Sequence, residues 1–392
     1  MQSFDVLIGE YEAQADMLRD LKAKIQEKLF FPAQLILDKV FDTMAENDAQ
    51  TQLCFTLFGG LILQYSEFSS LWSFRKLCSL MIVTDISDLK EGVIDFIEKI
   101  KDESRRTYHV TRMEDEQALL GFEAALLLLT YDGMELEELE KEYNALHKRS
   151  VKMYDVDEFV DVVLHEMDML IAMESENYDR FFSAFVRACA SSAYATTSTE
   201  SLLEGAVNAM LGGLLSENIF NFRPLIETGV LEMPALQEHP ILQLLNGVQD
   251  GEIENVSHYI SEVSQDQFPA LYENETFIIE KARVARFVAI CFNVLSRPVR
   301  EATFDELCDE LQFENVLLLK VFIIKCVSLE LVTGKLNDIK RVFRIENVKP
   351  RVVNAKLVSD LKFHLSKWLV EIDDSMGMLQ LYEEQQKLLN LE

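Results

Sequence analysis

The residues that could carry out catalysis are few and far apart. The six histidines are His109, His147, His165, His239, His258 and His364. Only His165 begins a recognisable pattern. Residues His165 to Met169 have the sequence HEMDM, which starts like HExxH, the helical motif in which two histidines bind zinc and the glutamate is the base. Met169 stands where the second histidine would be, so the segment does not predict a zinc site.

Other signatures of catalysis are absent from the sequence. It contains no Gly-x-Ser-x-Gly motif, no His-x-His pair with a downstream acid as in a metal-dependent isopeptidase, and no cysteine beside a histidine. The pair Gly212-Gly213 lacks the flanking residues of a phosphate-binding loop and is typical of close helix packing. The residues therefore predict that the protein is not an enzyme and has no metal, cofactor or small-molecule substrate.

Composition narrows the classes of partner. The chain has 392 residues, 49% of them apolar, and a formal net charge of −30 at pH 7. This predicts a folded protein of two or three structural units. Strong acidity disfavours nucleic acid and anionic membranes as partners. The six cysteines form no CxxC pair, and the N-terminus lacks the basic region of a signal peptide, so we expect a cytoplasmic and nuclear protein.

Helices are expected over the first 300 residues, because glycine and proline are scarce and no alternating strand pattern occurs before Val332. Successive amphipathic segments are joined by short polar connections. This favours antiparallel helix pairs stacked as a solenoid, with a spacing of roughly 35–45 residues per pair but no signature repeat. The predicted fold class is mainly α, an N-terminal helical-repeat solenoid that needs a cap at its end.

Residues Arg300 to Arg351 have the pattern of a winged helix, which would supply that cap. Thr303 is the expected N-cap of a short helix, Phe304–Leu311, with Glu306 completing a capping box. The second helix, 314–331, is apolar on nearly every side and is expected to be buried on several of them. Strands are expected at 332–335 and 340–348. The second helix offers only Lys320 and Lys325, too few bases for DNA recognition.

A long helix is expected at 354–391. Its apolar residues step by four and three, as in the seam of a coiled coil. The seam residues are Leu357, Leu361, Leu365, Trp368, Ile372, Met376, Leu379 and Tyr382. We expect this helix to join helices of other subunits. The alternative is that it folds back onto its own winged helix.

Helical repeats, a winged helix and a long C-terminal helix follow one another as in PCI-domain proteins. Several segments narrow the resemblance to the family of the 26S proteasome non-ATPase regulatory subunit 13. The segment Gly212–Phe222, GGLLSENIFNF, resembles GLLGEGVFNFGEL of that family, and Val348–Val352, VKPRV, resembles VQPRV. Thr303–Leu307 is similar to TFEEI, and the tail from Leu361 to Tyr382 also matches. The resemblance is close over 178–382 and weaker upstream.

The resemblance implies a non-catalytic scaffold in the lid of the proteasome regulatory particle, which supports ubiquitin-dependent degradation. It implies an N-terminal helical-repeat arm (1–177), a PCI domain (178–350, with a helical part 178–299 and a winged helix 300–350) and a C-terminal helix for bundle assembly (351–392). The implied partners are other PCI-domain lid subunits. Related alternatives are a PCI subunit of the COP9 signalosome or of a translation initiation factor complex, and a more distant one is a winged-helix nucleic-acid-binding protein.

Two partner-binding surfaces follow from the resemblance. The first is a free wing edge on the strand 340–348, since an exposed strand edge is a docking site for another chain. Its residues are Lys340, Val342, Phe343 and Ile345. The second is the seam of the C-terminal helix, with Leu361, Leu365, Trp368, Ile372, Met376 and Leu379.

Overall fold

The computed structural model describes residues 7–9, 11, 14–42, 48–65, 67–84, 86–106, 113–194, 199–263, 267–295, 297, 299–349, 362–363 and 365–379. The described chain is mostly helical and has one small sheet, which confirms the mainly α fold class. The chain divides into two compact units. The first comprises Met1–Ser216 and Thr228–Glu238, and the second comprises Glu217–Glu227 and His239–Glu392.

The helices as far as Gln237 are α1 (Ala15–Gln26), α2 (Phe30–Phe41), α3 (Asp48–Gly60), α4 (Ser70–Val83), α5 (Lys90–Arg106), α6 (Met113–Thr130), α7 (Leu136–Ser150), α8 (Glu158–Glu174), α9 (Tyr178–Cys189), α10 (Thr199–Leu215), α11 (Arg223–Glu227) and α12 (Pro234–Gln237). Short 3-10 turns lie at Ile62–Gln64, Ser87–Leu89 and Val230–Glu232. All of these elements except α11 belong to the first unit.

The first unit stacks its helices in sequence order. Helix α6 packs against α4 and α8, while α5 packs on α6 and α7 packs on both α6 and α8. Three phenylalanines join α4, α5 and α6: the ring of Phe122 lies 5.4 Å from that of Phe74 and 5.0 Å from that of Phe96. Because each helix contacts its near neighbours along the chain, the unit has the layered packing of a helical repeat.

Polar caps set where helices of this unit begin. The side chain of Asp157 accepts a hydrogen bond from the N–H of Phe159 at 3.1 Å, and Asn177 accepts one from Arg180 at 3.0 Å. Each bond satisfies an N–H that has no partner within its helix. The helix expected from Pro32 begins earlier, at Phe30, because a proline in the first turn gives up an N–H that lacks an intrahelical partner anyway.

The second unit contains α11, α13 (Pro240–Asp250), α14 (Val256–Glu262), α15 (Pro269–Glu273), α16 (Glu275–Leu295), α17 (Phe304–Leu311) and α18 (Val316–Ser328). Its strands are β1 (Glu301–Thr303), β2 (Val332–Asn337) and β3 (Val342–Val348). Helix α16 contacts α13, α14, α15, α17 and the sheet. Residues 365–379 form a further helix, named here the C-terminal helix.

The predicted winged helix is present in outline. The hydroxyl of Thr303 accepts a hydrogen bond from the N–H of Glu306 at 3.2 Å, as a capping residue should. Asn315 caps α18 in the same way, accepting from Leu317 at 2.8 Å, so this helix is shorter than the expected 314–331. The core of the winged helix joins α16, α18 and β3. There the ring of Phe287 lies 5.7 Å from that of Phe322 and 5.9 Å from that of Phe343.

The sheet has three antiparallel strands in the order β1–β3–β2. The hairpin of β2 and β3 matches the prediction, whereas β1 is a strand that the sequence pattern did not indicate. Gly334 lies at an irregularity of the β2–β3 register. A Cβ added there would come within 2.6 Å of the Phe343 ring and would also strike the carbonyl oxygen of Arg344. Glycine is therefore needed where β2 crosses the core.

Candidate interaction surfaces

The HExxH-like segment lies in α8, where Asp168 joins three helices. Its buried carboxylate accepts hydrogen bonds from Arg180 Nε at 2.6 Å and from Arg187 Nη2 at 3.1 Å, both on α9. Arg180 also donates to Glu140 of α7 at 2.9 Å and lies over the ring of Tyr143. The acid thus holds α7, α8 and α9 together. Among the described residues, no group of three or more potential ligands could hold a metal ion.

Burial also shifts the pKa values of His165 and Glu166, which belong to the same segment. Burial raises the pKa of Glu166 to about 7. Burial, followed by the positive charge of Arg187, lowers the pKa of His165 to about 4. Both changes favour the uncharged side chain, as expected for ionisable groups removed from water. Burial is the largest cause of each shift, so neither points to an acid–base pair.

The predicted wing edge is in the wrong place. Lys340 lies in the exposed turn before β3, and Val342 is half-buried between Thr303 of β1 and Asn337 of β2. Phe343 and Ile345 are buried in the core of the second unit. Strand β3 is the central strand of the sheet. Its residues Val342–Arg344 pair with both β1 and β2, whereas Asn347 and Val348 pair with β2 alone. The expectation of a free edge is therefore wrong for Val342–Ile345. Contact of the four predicted residues with a partner stays a prediction.

The free edges of the sheet belong to β1 and β2. Neither strand has a second strand partner within the described part of the chain. Strand β1 has three residues and β2 has six, with Thr333, Lys335 and Asn337 exposed. An unpaired edge offers N–H and C=O groups to another strand. Of the two, β2 is the longer docking edge.

The C-terminal helix carries most of the predicted seam on its surface. Leu365, Trp368, Ile372, Met376 and Leu379 are between 48% and 65% exposed. Leu361 falls outside the described residues, as do Leu357 and Tyr382. The helical spacing of these residues agrees with the prediction, and a row of exposed apolar side chains is typical of a protein-binding helix. Their role in partner binding stays a prediction.

A second apolar surface lies on α18, where burial on several sides was expected. Leu319, Phe322, Ile323 and Cys326 are buried, but Leu317, Leu318, Val321 and Ile324 are 55–65% exposed. The expectation is therefore wrong for one face of the helix. Both lysines of α18 are paired with acids, Lys320 with Asp338 and Lys325 with Glu280. The exposed face is named here the α18 face.

Residues in both halves of the segment Gly212–Phe222 pack against neighbouring elements. Gly212 brings α10 close to α9, because a Cβ there would lie 3.1 Å from the carbonyl oxygen of Tyr178. In the second unit, Phe220 and Phe222 lie beside Lys281, with its ammonium 5.5 and 5.9 Å from their ring centres. Lys281 is only 3% exposed, and aromatic faces stabilise a cation removed from water. The sequence pattern had indicated the glycine contact but not the buried lysine.

All six cysteines are free thiols, and Cys54, Cys78, Cys291 and Cys326 are buried. Burial raises the pKa of Cys54 to about 12, and that of Cys326 likewise to about 12. Such thiols stay protonated near neutral pH and are poor nucleophiles. Across the described residues, no helix has both the length and the apolar character needed to cross a membrane.

Comparison with known proteins identifies relatives over both units. The family model of the PSD13 N-terminal repeats matches residues 17–245. The chain is 22% identical over 293 residues to the 26S proteasome non-ATPase regulatory subunit 13 homolog B of Arabidopsis thaliana, covering 73% of this chain and 72% of that protein. It is 22% identical over 172 residues to the 26S proteasome regulatory subunit RPN9 of Saccharomyces cerevisiae, and this match covers 43% of this chain and 42% of the yeast protein.

The chain also matches a protein whose name is not that of a proteasome subunit. Eukaryotic translation initiation factor 3 subunit M of Coccidioides immitis is 21% identical over 181 residues, or 46% of this chain and 38% of that protein.

The family match extends over the helical repeats, where the sequence segments alone gave the weaker resemblance. It runs from α1 into α13 and covers more than half of the chain. The resemblance to the non-ATPase regulatory subunit 13 family is confirmed by this match and by the plant and yeast relatives. The chain therefore belongs to the family with PSD13 N-terminal repeats.

Proposed function

We propose that this protein is a non-catalytic scaffold subunit of the lid of the proteasome regulatory particle and supports ubiquitin-dependent protein degradation. The observation that carries the proposal is the match of residues 17–245 to the PSD13 N-terminal repeats. The plant and yeast relatives, which are proteasome regulatory subunits by name, support it. The packing role of Asp168 also supports a structural protein.

Assembly proceeds in this proposal through the C-terminal helix and the three-stranded sheet, with other PCI-domain lid subunits as partners. The exposed seam of the C-terminal helix supports the first contact. The free edge of β2 is the docking edge of the sheet. Lys340, in the exposed turn of the hairpin, and Val342, at the start of β3, contact the partner from the turn end of the sheet in this proposal. Phe343 and Ile345 contribute by fixing β3 in the core. The ion pairs of Lys320 and Lys325 support a protein partner rather than nucleic acid.

The protein works in the cytoplasm and nucleus in this proposal. Its six free thiols, four of them buried, support a reducing compartment.

A second candidate is a subunit of an initiation factor complex, favoured by the match to initiation factor 3 subunit M. Purification of the tagged full chain from its own cells at moderate salt, followed by mass spectrometry, distinguishes the two. We expect proteasomal ATPases and other lid subunits near stoichiometry. Initiation factor or signalosome subunits in their place would reject the proteasome assignment.

The assembly route is tested on the C-terminal helix. We expect a chain lacking 354–392 to fold and yet to stay outside the complex. A matched pair of point variants sharpens the test: Ile372→Glu places a charge on the seam, and Val370→Glu places one on the opposite side of the same helix, where the residue is also exposed. Ile372→Glu should prevent assembly and Val370→Glu should not. Normal assembly of the truncated chain would contradict this route.

A further inference from the structure

The α18 face is a ridge of apolar side chains with no cover in the described structure. Leu317, Val321 and Ile324 recur at the spacing of one side of a helix, and Leu318 flanks them. All four are more than half exposed. A contiguous apolar surface of this kind marks a site of protein contact. Its position on α18 separates it from the free edge of β2 and from the seam of the C-terminal helix.

A groove runs along this face between α16 and α18 and encloses about 480 Å³. Its α18 wall is apolar, with Leu318 and Val321. Its α16 wall is polar, with Glu280 and Arg283. At one end, Glu280 pairs with Lys325 at 2.8 Å, so the two charges cancel there. The groove is therefore asymmetric, apolar along its α18 side and polar along its α16 side.

Arg283 is the cation at the other end, where Phe313 and Glu314 also line the groove. Its guanidinium lies over the ring of Phe313, 5.3 Å from the ring centre. Its Nε–H is buried and has no hydrogen-bond partner. Among the described residues, no carboxylate lies within ion-pair distance of Arg283. A buried donor without an acceptor is costly, and a carboxylate is its strongest acceptor.

We propose that the α18 face and this groove bind an amphipathic helix of another subunit of the regulatory particle. The apolar stripe of that helix covers Leu317, Val321 and Ile324, and one of its Asp or Glu side chains binds Arg283. A helix fits because the site is a groove between two helices, into which the side chains of a third can pack. An extended segment that binds by strand pairing would need a free strand edge, and α16 and α18 offer none. This inference rests on the proposed function.

Photo-crosslinking within the assembled particle tests the occupant. The full chain carries a photoreactive amino acid at position 321, and the particle is purified before irradiation. We expect a crosslink to a helical segment of another subunit that has an acid at helical spacing from the linked residue. The same amino acid at position 151, an exposed valine outside the α18 face, is the control for nonspecific crosslinking.

Several outcomes would overturn the inference. One is that a chain present in the particle gives no crosslink. The others are a crosslink to residues 365–379 of the same chain, to a second copy of the chain, or to a segment that carries no acid. If the chain is missing from the particle before irradiation, the proposed function itself fails, and this inference fails with it.

Charge substitutions give the energetic test. Val321→Glu and Arg283→Gln should each lower incorporation about tenfold in competition with the wild-type chain, since central contacts dominate such interfaces. Val151→Glu is the matched control, because it makes the same change at a similarly exposed valine. Circular dichroism verifies that all three variants are folded. Equal incorporation of Val321→Glu and Val151→Glu would refute the site.

Discussion

Substitution of Asp168 tests whether the acid of the HExxH-like segment holds the helical repeats together. Asp168→Ala removes a buried carboxylate that binds Arg180 at 2.6 Å and Arg187 at 3.1 Å. The two arginines are left in different surroundings. Arg180 keeps its contact with Glu140 at 2.9 Å, whereas Arg187 is half-exposed and returns to water. The three side chains should therefore contribute unequally to stability.

The expected loss in the free energy of unfolding depends on which side chains each substitution leaves without a partner. Arg180→Ala leaves the buried carboxylate with only a half-exposed partner, and breaking a buried ion pair in this way costs about 3–5 kcal/mol. Asp168→Ala leaves Arg180 about a quarter exposed and still paired, so we expect a smaller loss, about 2–3 kcal/mol. Arg187→Ala removes an exposed group and should cost about 0–1 kcal/mol.

Urea unfolding measures these costs in the first unit. The chain has two tryptophans, Trp72 and Trp368. A Trp368→Phe background leaves Trp72 as the only fluorescent tryptophan, and its indole N–H donates to Asp38 of α2 at 2.9 Å. Midpoint and slope then give the free energy of unfolding. Equal losses for Asp168→Ala and Arg187→Ala, or a loss below about 0.5 kcal/mol for Asp168→Ala, would refute the reasoning.

Three further predictions concern pH, packing and thiol chemistry. Burial raises the pKa of Glu166 to about 7, so its contribution to stability is present below pH ~4.5 and lost as the pH rises through about 7. Glu166→Gln should therefore match the wild type near pH 4.5 and exceed it by about 3 kcal/mol above pH 7 in urea unfolding; a pH-independent difference would contradict this. Gly334→Ala should destabilise the second unit by about 2–3 kcal/mol, because its Cβ strikes Phe343. The control Gly377→Ala, whose Cβ meets no atom within 4 Å, should show no loss in thermal unfolding. Cys189 and Cys308 are the two half-buried thiols, and burial raises the pKa of Cys189 to about 12. At pH 8 Cys308 should therefore react with a thiol reagent before Cys189 and the four buried cysteines do, and Cys308→Ser should remove the fastest phase.

Local signals in the sequence were enough to predict much of the second unit. The cap at Thr303, the hairpin after Val332 and the helical spacing of the C-terminal seam each depend on residues close together in the chain, and the structure contains all three. Strand β1 was missed because three residues cannot show alternation. Its pairing with β3 depends on a segment about forty residues later.

The interaction surfaces were harder to predict, for a physical reason. An apolar helix such as α18 has the same pattern whether a residue packs in its own core, as Phe322 does, or faces outward, as Val321 does. Only the positions of α16 and the sheet separate the two cases. The partners of Asp168 lie on α9, outside the motif that drew attention to it. Side chains that act across elements are thus not identified by local spacing.

The order of strands in the sheet has a consequence for synthesis on the ribosome. Phe343 and Ile345, which complete the core over α16 and α18, come after Cys326 in the chain. Until Arg344 has emerged, β1 has no strand to pair with, and until Val348 follows, the inner face of α18 lacks part of its cover. At roughly 5–20 residues per second, the interval from Cys326 to Val348 lasts about 1–4 s. For that time the nascent chain shows apolar residues on both sides of one helix, and this is the stage at which a chaperone would bind it.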